Sequence, residues 1–416
     1  SKELLLRLRD SFTKGGLLHY GQGKWYPGEE VPRWALGCFW RTDGEPLWRN
    51  THLIGRIDHD YGFTRKDGRK FLQNLCQALR IPMSYLISTF EDASHYLLKE
   101  QELPENIDLY AADLSLDLER KRLAKLLKQG LNNPSGFVLP LEWNATDSHW
   151  SSCHWPVRRE RLIAIPGDSP MGLRLPLASL PQATEQDLYR PASDPFAQEK
   201  DQPTVEKAPK EMTQLIRTAL TIEPRDGCLF IFLPPLQTFN DFCNLVEAIE
   251  ATAEQLDMPV ILEGYEPPSD SKLKSFKITP DPGVIEVNIH PSRSWGELVE
   301  KTNVLYEQAR LCRLGTEKFM VDGRHTGTGG GNHVTIGGAT AADSPILRRP
   351  EILQSLITFW QHHPSLSYLF SGMFIGPTSQ APRVDEGRDD ILYELEVAFQ
   401  QVPEGAVDHP SLLHSS

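Results

Sequence analysis

Residues 323–338, GRHTGTGGGNHVTIGG, contain seven glycines in sixteen positions, and this restricts the fold more than any other stretch. So dense a run is a poor helix or strand interior, because glycine loses the most conformational freedom on ordering. Its backbone can approach another molecule closely, and several amides remain free to meet an anion. The run leaves through Asn332 and His333 into Val334-Thr335-Ile336, read as a short β-like piece with His333 and Thr335 on one face. It lacks the Lys-Ser/Thr ending of a P-loop and the spacing of a dinucleotide fingerprint.

Two stretches add acids to this picture. In Val284 to Pro291 strict alternation puts Ile285, Val287 and Ile289 on one face and Glu286, Asn288 and His290 on the other. Carboxylate, amide and imidazole in a row suit a hard divalent cation such as Mg or Mn. In Ile391 to Phe399 the pattern predicts a strand with Glu394 and Glu396 on one face. Two carboxylates so close repel unless water or a cation separates them, and plain exposure answers that repulsion as well as a metal does. Glu263 closes another predicted strand, Pro259 to Glu263. If these faces belong to one wall, they form an acidic cleft for cations.

The rest reads as scaffold. A glycine-rich loop near Gly15 to Glu29 is expected to precede a β-hairpin turning at Thr42-Asp43-Gly44, with His19, Gln22, Lys24 and Trp25 available to a pocket. Helical spacing runs from Lys70 to about Glu100, split at Pro82, and again over 113–129. Short β pieces are expected at Gly136 to Leu141, Arg161 to Ile165 and Gly172 to Leu177, a region whose Arg158, Arg159, Arg161 and Arg174 make it the most basic part of the chain. Pro181 to Glu211 is proline-studded and polar, a linker or long loop. Beyond it come a hairpin around Pro224-Arg225-Asp226-Gly227, a helix from an Asn240 cap and a helix opened by Ser294 and Glu297. A last helix spans Pro350 to Gln361, and Arg383 and Arg388 follow it as planar forks for phosphate or carboxylate. Three parts are thus expected: an N-terminal α+β portion at 1–180, the linker at 181–211, and a catalytic portion at 212–416.

A net charge of -13 argues against a nucleic-acid partner. Six scattered cysteines show no zinc or disulfide spacing, and no apolar run reaches the roughly 18 residues of a membrane helix. A cytoplasmic protein with reduced thiols is the expectation, and the Ser1-Lys2 start suggests a segment of a longer chain.

The motifs HYGQGKWYPGE, GDSPMGLRLPL, EGY, IEVNIHP, GRHTGTGGGNHV, FIGPTSQAPRVDE and YELEVAF together resemble the amidoligase domain found C-terminal to bacterial transglutaminase-like domains. That family is grouped with the glutamine synthetase-like carboxylate-amine ligases. The resemblance implies an α+β fold with a curved antiparallel sheet of glutamine synthetase-like type flanked by helices, holding ATP and Mg. It implies a ligase that joins a small-molecule or peptide carboxylate to an amine through an acyl phosphate, beside a transglutaminase-like domain in the same longer chain. Carried over by position, Glu286, with Asn288 on the same strand, and His333 inherit metal and catalytic roles. Glu394 or Glu396 matches a late metal-binding glutamate, and Glu263 is a weaker match. Arg383 resembles a phosphate-holding arginine, and Arg324, Gly327, Gly329, Gly330, Gly331 and Asn332 form the nucleotide turn. Another phosphotransferase on the same fold, or an inactive peptide-binding partner of the transglutaminase-like domain, remain open readings.

Overall fold

The computed structural model describes residues 1–13, 15–23, 34–91, 133–156, 162–164, 175–177, 180, 215–281, 284–316, 318–323, 325–326, 334–338, 343–363, 365, 393, 397 and 400. It is a mixed α+β protein. The chain divides into two compact units: Ser1–Arg190 with Glu206–Thr279 and Val287–Pro291, and Pro191–Val205 with Pro280–Glu286 and Ser292–Ser416.

The first unit is built on a large, mostly antiparallel sheet. Its strands are β1 (Leu17–Gln22), β2 (Trp34–Arg41), β3 (Ile87–Glu91), β4 (Gly136–Pro140), β7 (Leu162–Ala164), β8 (Ala219–Arg225), β9 (Cys228–Leu233), β10 (Val260–Gly264), β11 (Leu273–Asp281) and β12 (Val284–Asn288), the last two shared between the two residue ranges. Their order is β12-β11-β2-β1-β10-β9-β8-β4-β3-β7. β1 and β9 both run parallel to β10, and β3 runs parallel to β7. Strands from before residue 181 and from after residue 212 therefore build one sheet. A separate two-stranded ribbon joins β5 (Glu142–Asn144) to β6 (His149–Ser151).

One face of the sheet is apolar. Leu17, Phe137, Leu139, Leu220, Ile222, Leu229, Ile231, Val260 and Leu262 pack there with α2 (Arg65–Ala78) and α3 (Phe239–Leu256) in a single core. The stripe read for α3 holds: Phe242, Leu245, Val246, Ile249 and Ala253 are buried. Its cap is Thr238 rather than Asn240. The Thr238 hydroxyl accepts from the Asp241 amide at 3.2 Å and the Asp241 carboxylate accepts from the Thr238 amide at 3.2 Å, a reciprocal box that Asn240 cannot form from inside the helix. The β8–β9 hairpin turns where expected, with Asp226 at φ 49° and Gly227 at φ 75°, the positive pair of a type I′ turn. α1 (Lys2–Phe12) buries Leu4, Leu5 and Leu8.

Several expectations are corrected. The first hairpin is β1 with β2, and Thr42-Asp43-Gly44 turns the chain off the sheet, because both sides of β2 are already taken by β1 and β11. Residues 45–48 form no strand; Trp48 instead buries its ring and donates its indole N–H to the Asn50 carbonyl at 2.8 Å. After Pro82 the helical spacing gives way to a 3-10 turn, Met83–Tyr85, and then β3. Leu175 to Leu177 is not a strand. The helix expected at 113–129, the linker expected at 181–211 and the four arginines of the basic region lie outside the described residues.

In the second unit α4 (Trp295–Leu311) is capped by Ser294, whose hydroxyl accepts from the Glu297 amide at 3.2 Å. Lys318–Phe319 and His325–Thr326 pair as the two-residue strands β13 and β14. α5 (Pro345–Arg348) precedes α6 (Pro350–His362). Val334 to Ile336 is irregular and exposed rather than β. Among the described residues it has no strand partner, and three residues gain no ladder bonds without one. Residues 393, 397 and 400 are helical, against the strand expected over Ile391 to Phe399. Tyr393 and Val397 stand four apart, a spacing that a helix places on one face.

Candidate functional site

The face of the sheet opposite α2 and α3 carries buried charge beside a smaller apolar cluster of Val138, Trp155, Leu162, Leu180 and Ala219. Along β8, Leu220 and Ile222 belong to the core, so Glu223 and Arg225 point the other way. Along β10, Val260 and Leu262 belong to the core and Glu263 points the other way. β9 lies between them and pairs Glu223 with Phe230 and Glu263 with Phe232. The result is a buried network. Arg225 donates through Nη2 to Glu263 Oε2, and its Nε stands 3.6 Å from Glu223 Oε2. Its guanidinium carbon is 3.7 Å from the centre of the Phe230 ring, a cation–π contact worth about 2 kcal/mol when desolvated.

Burial dominates the electrostatics here. Glu263 is 1% exposed, and its carboxyl is pushed up to about 7 by burial first, with Arg225 pulling it down and Glu223 pushing it further up. Loss of water raises a carboxyl because it penalises the charged form. Tyr20 lies beside Glu263 in the β1–β10 register. Its phenol is pushed up to about 12, mainly by burial and then by Asp58.

Of the sequence-derived site residues, Glu263, Glu286 and Asn288 are described. Glu263 is held by Arg225. Glu286 is half-buried and Asn288 exposed, both on β12. β11, β2 and β1 intervene between β12 and β10 in the sheet order, a separation of about 19 Å at the usual strand spacing. The structure therefore does not bring Asn288 together with Glu263. His290, on the same predicted polar face, is buried between the rings of Phe12 and Trp40, with centroids 5.2 and 5.0 Å away. Arg324, Gly327, Gly329, Gly330, Gly331, Asn332, His333, Arg383, Glu394 and Glu396 lie outside the described residues, as do Lys24 and Trp25. Among the described residues no three His, Cys, Asp or Glu side chains are grouped to hold a metal ion.

Sequence reading took Arg225 for a turn residue and so missed it. The available signal was its alternation with Glu223, two charges on the same face of a strand otherwise apolar. All six cysteines are free thiols, and no helix among the described residues is long and apolar enough to cross a membrane.

A family model described as "Putative amidoligase enzyme (DUF2126)" matches residues 1–213 and 197–414. The chain belongs to this family. The two matches overlap at 197–213 and together span both halves of the sequence, so the DUF2126 likeness covers the sheet and the glycine run alike. No curated protein and no solved structure matches the chain. The description attached to DUF2126 is that of an enzyme joining a carboxyl group to an amine, and the buried Arg225–Glu263 pair stands at the centre of this member's sheet.

Proposed function

We propose that this protein is an ATP- and Mg-dependent carboxylate-amine ligase that forms an amide or peptide bond by way of an acyl phosphate, on a glutamine synthetase-like fold. The observation that carries this reading is the family match, which runs from residue 1 to residue 414. A carboxylate is a poor electrophile, and Mg-ATP, when bound, supplies the phosphoryl group that activates it. The groups proposed for its cations are Glu286, Asn288, His333 and one or both of Glu394 and Glu396, with Glu263, too far from Asn288 in the sheet order to share an ion with it, proposed for a separate one. Arg324, Gly327, Gly329, Gly330, Gly331, Asn332 and Arg383 are proposed for the phosphates.

The described residues qualify this assignment in one respect. Glu263 already has a cation, the Arg225 guanidinium, so serving a metal requires it to exchange that partner. Arg225 otherwise acts as a clamp: it fixes the end of β10, and with it the start of Tyr265 and Glu266, relative to the β8–β9 hairpin. A transglutaminase-like domain in the same longer chain and a cytoplasmic setting belong to the same proposal.

The test is ADP release from Mg-ATP with mixtures of acids and amines. Release that requires both co-substrates is expected. Turnover that ignores the amine identifies a kinase or ATPase instead. A melting temperature unmoved by Mg-ATP would leave a binding module.

A further inference from the structure

The apolar face of the sheet changes character at its β1–β2–β11 end. Register sets His19 opposite Gly37, and Gly37 opposite Lys277, so one row across three strands reads imidazole, bare backbone, ammonium. The Phe39 ring fills the room over Gly37 and meets the His19 ring edge-on at 5.9 Å. Two residues along β1, Gly21 again has no side chain. A Cβ placed there would stand 3.4 Å from Glu266 Oε1 and 3.7 Å from His19 Nδ1. These two polar atoms thus border the same small space.

The groups around that space differ sharply in exposure. Lys277 Nζ pairs with Glu266 Oε2 at 2.6 Å, and the two side chains are 37% and 35% exposed. His19 is 1% exposed. Neither of its ring nitrogens makes a hydrogen bond of normal geometry, the backbone of Tyr265 giving only a weaker polar contact. A buried polar group left this way is destabilising, and a bound molecule that supplies the missing hydrogen bond offsets that cost. Burial, then Lys277, pushes the imidazole down to about 4. At neutral pH it is therefore uncharged, with one acceptor nitrogen that suits an ammonium.

We propose that this niche over Gly21 binds the ammonium and carboxylate groups of a free α-amino acid, Glu266 and His19 taking the ammonium and Lys277 the carboxylate. Charge balance selects this ligand class. A simple anion would strand Glu266 and a simple amine would strand Lys277, whereas a zwitterion replaces one ion pair by two and leaves no charge uncompensated. That the amino acid is a substrate rests on the ligase reading above; that it binds does not.

The experiment is a thermal-shift titration of the full chain with each of the twenty free amino acids, with and without Mg-ATP. At least one raises the melting temperature saturably. Its N-acetyl and α-amide derivatives, each lacking one charge, bind about tenfold or more weakly, the loss expected for a charge-assisted contact. Gly21→Ala, whose added carbon occupies the space, loses the response, and Glu266→Gln weakens it. No response to any amino acid, equal binding of the blocked derivatives, or full binding by both variants overturns the proposal. A response to Mg-ATP without one to amino acids removes the niche and leaves the ligase reading; the converse removes the ligase reading and leaves the niche.

Discussion

Replacing Glu263 by glutamine will change how stability responds to pH. In the folded chain the Glu263 carboxyl is raised from 4.5 to about 7, so the native state holds this proton more tightly than the unfolded chain does. The contribution is fully present below pH 4.5 and is lost as pH rises through 7. A shift of about 2.5 units, at about 1.36 kcal/mol each, amounts to about 3 kcal/mol. His19 has the opposite sense. It is lowered from 6.5 to about 4, and its contribution, present above 6.5, is lost as pH falls through 4. Between pH 4.5 and 6.5 these two effects offset each other, so the wild-type profile conceals both. Glutamine cannot ionise and leaves the His19 effect alone. Urea unfolding followed by tryptophan fluorescence at pH 4.5, 6 and 8, with chelator present, should show Glu263→Gln gaining about 3 kcal/mol on the wild type from the lowest pH to the highest. Parallel curves would mean that Arg225 outweighs burial and that Glu263 is ionised throughout, which refutes the argument.

Other outcomes follow from single contacts. Gly264 has φ 101°, and a Cβ on it would lie 2.8 Å from the Leu233 carbonyl oxygen and 2.9 Å from the Leu233 amide nitrogen; Gly264→Ala should cost about 2–4 kcal/mol, read as a fall in melting temperature. Thr238→Ala removes the cap of α3 and should cost about 1 kcal/mol by chemical denaturation. Arg225→Met leaves Glu263 buried beside Glu223 without its guanidinium and should destabilise by about 3–5 kcal/mol at pH 8, less at pH 5, where Glu263 is protonated. Glu286→Gln should abolish metal-dependent nucleotide binding with the circular dichroism unchanged, and normal affinity would remove Glu286 from the proposed cation site. His333→Ala should reduce turnover more than stability; a larger stability loss would make it a core histidine.

What the sequence disclosed depended on whether one force acted alone. The β8–β9 hairpin and the α3 stripe were readable because turn chemistry and apolar period agreed. β1 is expected as loop because His19, Gly21 and Gln22 break its apolar alternation, although all three pair with β2 in the sheet. β3 was read as helix because Leu86 and Phe90 are four apart, a spacing that strand and helix share until partners are known. The Arg225–Glu263 contact joins residues 38 positions apart, and only the sheet order shows that they meet. His19 was noticed as a pocket residue; its companions Lys277 and Glu266 come from two later segments that no local pattern links to it.

The placement of β1 next to β10 also governs how the polypeptide is made. The open edge of the β1–β2 hairpin is closed by β10, where Tyr20 meets Glu263, so this hairpin is synthesised long before the strand that seals it. Non-local closure of this kind slows assembly and leaves unpaired edges exposed meanwhile. A stalled or truncated product ending before β10 would display that edge permanently, whereas a separately expressed piece spanning β8 to β11 has a vacancy of matching shape and should capture the missing hairpin in trans.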